Sequence, residues 1–169
     1  MALSLSDANI AGGWCLACLA SHAALCWLLT PRTVPRLSRL SPREQGSLRN
    51  TVVAAAHAVV MFVGSASYMA PHGPELFYGP LTRRRPFRVE GNTAGERLYC
   101  SLMLGYLVYD TLYGLVAKNN GADMVAHHLV GGAAWVALLL ADRGGFYMMW
   151  VQLAEVRTRA TAPLRRTRR

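Results

Sequence analysis

Two adjacent histidines, His127 and His128, mark the stretch of sequence with the most chemical potential. Neighbouring positions on a helix project about 100° apart, so one imidazole can face a central cavity while the other faces a neighbouring helix. Asp123 stands four residues before His127 and can reach it along one helix face, orienting the ring and raising its basicity. A histidine so placed can act as a general base for an amine or hydroxyl, or as a nucleophile toward an acyl group. Gly131 and Gly132 follow at three and four residues from His128, opening space on the same face for a helix or a ligand chain. The structural alternative is a pair of interhelical hydrogen bonds.

Asp110 lies deep within an apolar run, with Tyr106, Tyr109 and Tyr113 close by. The spacing puts Tyr106, Asp110 and Tyr113 on neighbouring positions of one helix face. An aspartate near the centre of a membrane helix costs roughly 2.5 to 3.5 kcal/mol on insertion scales, so it needs a compensating environment. That environment is either a lined cavity, a proton relay or an internal hydrogen-bond cluster that packs helices. His57 and Glu155 are further ionisable groups in apolar blocks. A polar interior lined by His57, Tyr106, Asp110, Tyr113, Asp123 and Glu155 would account for all of them. His22, beside Ser21 and among cysteines, reads as a packing residue. The other histidines are isolated and fall short of a di-iron ligand set, so no metal is expected. Cys15 and Cys18 form a C-x-x-C with no second pair and no histidine at zinc spacing. All four cysteines lie in apolar blocks, where a thiol behaves as a small hydrophobe.

The elements that position these groups must be membrane helices. Of 169 residues 53% are hydrophobic, with 15 glycines besides, whereas a soluble domain has about 45 to 50% with glycine included. The apolar residues fall into five blocks: Ile10 to Leu29, Thr51 to Ala70, Leu98 to Ala117, Met124 to Ala141 and Gly144 to Val156. Four of them reach the roughly 18 to 20 residues that cross a bilayer core of about 30 Å; the fifth is shorter. The expected fold is all-α, a multi-pass transmembrane helical bundle of five helices, and a soluble enzyme is excluded. Thr30-Pro31 is expected to end the first helix, and Pro71, Gly73 and Pro74 the second. Turns at Asn119-Asn120-Gly121 and Asp142-Arg143-Gly144-Gly145 make the later helices antiparallel neighbours. The chain divides into a signal-anchor helix and basic loop (1–48), a membrane domain (49–156) and an arginine-rich tail (157–169).

A formal charge of +9 raises the question of nucleic acid, and the placement of the charge answers it. Five arginines against Glu44 leave a net +4 between the first two blocks, and six more follow the last block. Arginines hugging helix ends are what the positive-inside rule and anionic headgroups produce. No aromatic-interleaved basic platform accompanies them, so the expected partners are membrane lipids and not nucleic acid. Asp7 precedes the first block and arginines follow it, the reverse of a cleavable signal peptide. The loop after that block is therefore expected in the cytoplasm and the N-terminus on the opposite side. The loop from Pro71 to Arg97 carries a net +2 on that opposite side.

Several runs together resemble one known family: Leu98 to Tyr106 with Asp110, Lys118 to Asp123, His127-His128-Leu129-Val130-Gly131, and Leu153-Ala154-Glu155. From about Arg49 to Glu155 the chain resembles the TLC domain, and Ala56-His57-Ala58 is similar to its small members. The resemblance implies a helical bundle around a central cavity, usually in the endoplasmic reticulum or another internal membrane. It also implies a role in membrane lipid homeostasis or acyl-lipid handling. In the ceramide synthases of this family the adjacent histidines are catalytic. By resemblance His127 and His128 would then transfer an acyl group from acyl-CoA to a sphingoid amine, with acyl-CoA as substrate and no bound cofactor.

The chain departs from the synthases at Tyr147, Met148 and Val151, where they carry a histidine-aspartate pair and a further aspartate. That departure favours the small non-synthase members, with N-acyl transfer as the alternative. Family members also continue past the position of Glu155 with a further helix, whereas this chain runs into arginines. A truncated or mis-predicted gene product, with its last helix missing, is the expectation from that end. A third class is a structural membrane protein or ion carrier that uses Asp110 and the histidines as a proton relay.

Overall fold

Each helix starts or stops on a local signal written in its sequence. The computed structural model describes residues 3–78, 91–117 and 122–145, with the backbone alone for 72–78. Helix α1 (Leu5–Leu28) is capped by Ser4, whose hydroxyl accepts from the Asp7 N–H at 3.1 Å. It closes at Leu29, just before Pro31. Helix α2 (Pro42–Tyr78) opens on a capping box. The Ser41 N–H donates to Glu44 Oε2 at 2.7 Å and the Glu44 N–H donates to Ser41 Oγ at 3.3 Å. Thr93 and Glu96 repeat the device at 2.6 and 3.2 Å ahead of α3 (Ala94–Ala117). Helix α4 (Ala122–Ala141) ends with Asp142 in the left-handed region, φ 53°, and the Arg143 N–H returning to the Leu138 carbonyl at 3.3 Å.

Two boundaries of the second helix differ from those expected. It begins at Pro42 instead of Thr51, because the capping box and a proline at the first helical position start it within the polar segment. It also continues through Pro71 and Pro74 to Tyr78. Proline removes a ladder bond, but its fixed φ is a helical one, and these two prolines lie a single turn apart. The fifth apolar block beyond Gly145, including Glu155, lies outside the described residues, as do Tyr147, Met148, Val151 and the Lys118 to Gly121 turn.

All four helices are long and apolar enough to cross a membrane, and the described fold is all-α and multi-pass. Helix α3 is the hub and carries the longest buried face. Helix α1 runs parallel to it, since Arg97 pairs with Asp7 at one end and Tyr109 meets His22 at the other. Helices α2 and α4 run antiparallel to it, with Asn50 and His128 near Asp110 and Asp142 beside Arg97. The core draws on every helix: Cys15 and Cys18, Val53 and Met61, Cys100 and Met103, Trp135 and Leu139. The α1–α3 contact is backbone on backbone, because a Cβ at Gly105 would run into the Ala11 carbonyl.

Candidate functional site

Polar side chains from all four helices meet in the half of the bundle nearer the α3–α4 connection. His22 Nδ1 lies 3.0 Å from the Tyr109 hydroxyl, and that hydroxyl donates to Asn50 Oδ1 at 2.8 Å. Asn50 Nδ2 donates to Asp110 Oδ1 at 2.9 Å, and Asp110 Oδ2 lies 3.4 Å from His128 Nε2. The partners fix the protons. Tyr109 has one proton and gives it to Asn50, so His22 must donate through Nδ1–H. Flipping the Asn50 amide would set its carbonyl against the carboxyl, so its orientation follows as well. Every donor in the chain from His22 points toward Asp110. The Asn50 amide also makes this a poor proton wire, since a carboxamide does not pass a proton through as a hydroxyl or imidazole does.

Tyr109 is fully buried, with His128 and Asp110 at 3% and 8% exposure. The carboxyl that is expensive in an apolar helix is thus met by an amide and an imidazole from two neighbouring helices. Tyr106 and Tyr113 also face inward, toward different partners. Tyr106 stacks on His57, with ring centroids 4.0 Å apart and planes 7° apart. Tyr113 is half-buried and packs on the His22 ring at 4.7 Å. His57 accepts from Trp14 Nε1 at 3.0 Å through Nδ1, which puts its proton on Nε2, 3.4 Å from the Met103 sulfur. Trp14 can only donate, so this bond requires a neutral His57.

The two adjacent histidines point apart, as their 100° offset requires. His128 is buried against Asp110, whereas His127 is on the exposed side of α4 with Asp123. Their ring centroids are 5.8 Å apart. Among the described residues no three His, Cys, Asp or Glu side chains converge as metal ligands would.

A groove of about 260 Å³ runs between α3 and α4. Its polar end is formed by His128 and Thr111, and its apolar end by Leu104 and Val136. Seven residues of α3 and eight of α4 separate the ends, about 11 to 12 Å at the α-helical rise. The side chains of Val108, Leu112 and Leu129 line it and are themselves largely exposed, so it opens laterally. Gly132 forms part of its wall, and a Cβ there would meet nothing within 4 Å.

A family model described as the TLC domain matches residues 47–159, well over half of the chain. The chain belongs to the TLC-domain family. No curated protein and no solved structure matches it. The TLC-domain segment takes in Asn50, His57, the α3 face and both adjacent histidines, while His22 comes from α1 ahead of it.

Sequence reasoning left three members of the cluster, Tyr109, Asn50 and His22, out of the expected site. Asn50 falls at the start of the expected membrane domain but just ahead of the second apolar block, and the structural signal that includes it in the helix is the Ser41–Glu44 box. His22 reads as packing because its partner, Tyr109, lies 87 residues away.

Proposed function

We propose that this membrane protein handles lipids in the α3–α4 groove, acting in lipid homeostasis in the endoplasmic reticulum or another internal membrane. The groove holds one acyl chain, with the polar end of the lipid at His128 and the chain directed toward Val136. The observation that carries this reading is the aliphatic lining of the groove, which ends at the buried His128 and at Thr111, whose hydroxyl donates to the Leu107 carbonyl. Its volume lies just below the roughly 300 to 1,000 Å³ of drug-sized ligand sites, which suits a single chain better than a whole diacyl lipid. Lateral opening past Val108, Leu112 and Leu129 supports entry from the bilayer rather than from water.

A fatty acid carrying a diazirine and an alkyne tests this in proteoliposomes. Labelling is expected on the groove walls, residues 104–112 and 128–136, and should fall severalfold in Gly132→Phe, which fills the groove from a position with room for a side chain. Label spread evenly over the four helices and unchanged in that variant would refute the reading.

N-acyl transfer from acyl-CoA is the second reading, favoured by the buried His128–Asp110 pair at the groove's polar end. A carboxylate-oriented imidazole can take the proton of an amine as its nitrogen attacks the thioester carbonyl, and return it to the sulfur as the C–S bond breaks and coenzyme A leaves as the thiol. Acyl-CoA consumption with a panel of sphingoid and other amines, lost in His128→Ala, would establish it. No turnover from a folded protein would leave lipid handling without catalysis.

A further inference from the structure

The connection between α1 and α2 is folded, and its arginines are sorted to one side. Pro35–Arg39 forms a 3-10 helix, whose three-residue period stacks positions i and i+3. Val34, Leu37 and Leu40 therefore share one edge, and Arg36 and Arg39 another. The apolar edge is turned inward, with Leu37 buried and Val34 and Leu40 half-buried. Arg32, Arg36, Arg39 and Arg43 are all exposed.

Side chains from α2 hold this strap in place. The Gln45 amide donates to the Leu37 and Leu40 carbonyls, each at 3.0 Å, and Arg49 Nη2 donates to the Leu29 carbonyl at 2.7 Å. Glu44, the one acid between Leu29 and Asn50, is engaged by the Ser41 N–H and hydroxyl at 2.7 and 2.8 Å. The exposed face thus carries four arginines against one carboxylate, which is turned to Ser41. Trp27 and Leu28, at the adjoining end of α1, are 86% and 64% exposed, which fits side chains at the bilayer interface. That level of the membrane is where headgroup phosphates lie.

We infer that the strap is a docking surface for anionic phospholipid headgroups of the leaflet in which α1 ends. Guanidinium groups pair with phosphate and carboxylate oxygens through forked hydrogen bonds, and a held backbone presents Arg36 and Arg39 together instead of scattering them. The strap precedes the segment that the family match covers. It is also separate from the α3–α4 groove, so the inference stands whether or not the groove binds lipid.

The test places wild type and Arg36→Glu/Arg39→Glu in nanodiscs of phosphatidylcholine with phosphatidylserine, followed by mild delipidation and mass spectrometry of the retained lipid. Wild type is expected to retain phosphatidylserine preferentially, with the ratio falling roughly fivefold per arginine removed. Added salt should lower it as well. Arg36→Lys/Arg39→Lys keeps the charge and should retain most of the preference. Helical content by circular dichroism monitors folding, and Arg36→Gln/Arg39→Gln replaces the glutamate pair if the latter disturbs it. Equal phosphatidylserine to phosphatidylcholine ratios in wild type and the folded neutral or reversed variant would overturn the inference. So would recovery of an acidic protein with no lipid preference.

Discussion

Asp110 derives its place in the bundle from Asn50. The amide gives one end to the carboxyl and takes the Tyr109 hydroxyl at the other, so a single substitution strands two buried groups. Interhelical hydrogen bonds in membranes average only about 0.6 kcal/mol, but leaving a buried partner unsatisfied costs about 1 to 3 kcal/mol, and more when the partner is charged. The second effect should win here. Asn50→Leu is expected to destabilise the bundle by about 2 kcal/mol, measured by steric-trap unfolding in micelles. Adding Asp110→Leu removes the stranded carboxyl, so the double variant should cost less than the sum of the two singles by more than about 1 kcal/mol. Additive costs would show that the pair does not act as a unit. Of this cluster, Asp110 and His128 were legible in the sequence, because an ionisable group in an apolar helix announces an interior partner. The partners themselves were not. Asn50 and Asp110 are 60 residues apart, and no local period encodes a contact between helices.

The elements were legible to the extent that hydrophobicity defines them. Four apolar blocks became the cores of the four described helices, while the polar start of α2 escaped a reading based on apolar runs alone. The sequence does carry its signal, since Ser41-Pro42-Arg43-Glu44 and Thr93-Ala94-Gly95-Glu96 are both capping boxes. Helix-to-helix distance was less legible, because glycine is permissive everywhere and demanded only where backbones meet. Gly105 and Gly132 separate these cases. A Cβ at Gly105 meets the Ala11 backbone, whereas one at Gly132 meets nothing within 4 Å. Gly105→Ala should therefore push α1 away and cost about 1 to 3 kcal/mol as overpacking does. Gly132→Ala should be neutral or stabilise by up to about 1 kcal/mol through helix propensity. Unfolding of the two variants side by side checks this, and equal effects would mean that α1 is not held by close approach.

At the scale of the whole molecule, the two ends of the bundle use their charges differently. At the end formed by the starts of α1 and α3 and the finish of α4, Arg97 is drawn in between Asp7 and Asp142, bonding Asp142 Oδ1 at 2.6 Å. Asn92 ties the same end by donating to the Leu138 carbonyl at 3.1 Å and accepting from the Gly145 N–H at 2.9 Å. Arg97 thus belongs to a part-buried clasp at the start of α3, as does Glu96 to the α3 capping box, and the loop's net +2 is the same without the two of them. At the other end the strap arginines remain exposed. The first helix usually dominates topology, and it is flanked by Asp7 on one side and by Arg32, Arg36 and Arg39 on the other. The N-terminus should therefore be lumenal and the strap cytoplasmic, facing the leaflet where anionic lipid is concentrated. A glycosylation sequon added ahead of Ser4 should be modified in microsomes, and one inserted between Ser38 and Arg39 should not. Reversing Arg32, Arg36 and Arg39 to glutamate should divide the protein with the N-terminal sequon between modified and unmodified forms. Modification at the strap alone would invert the orientation and move its arginines away from the anionic leaflet.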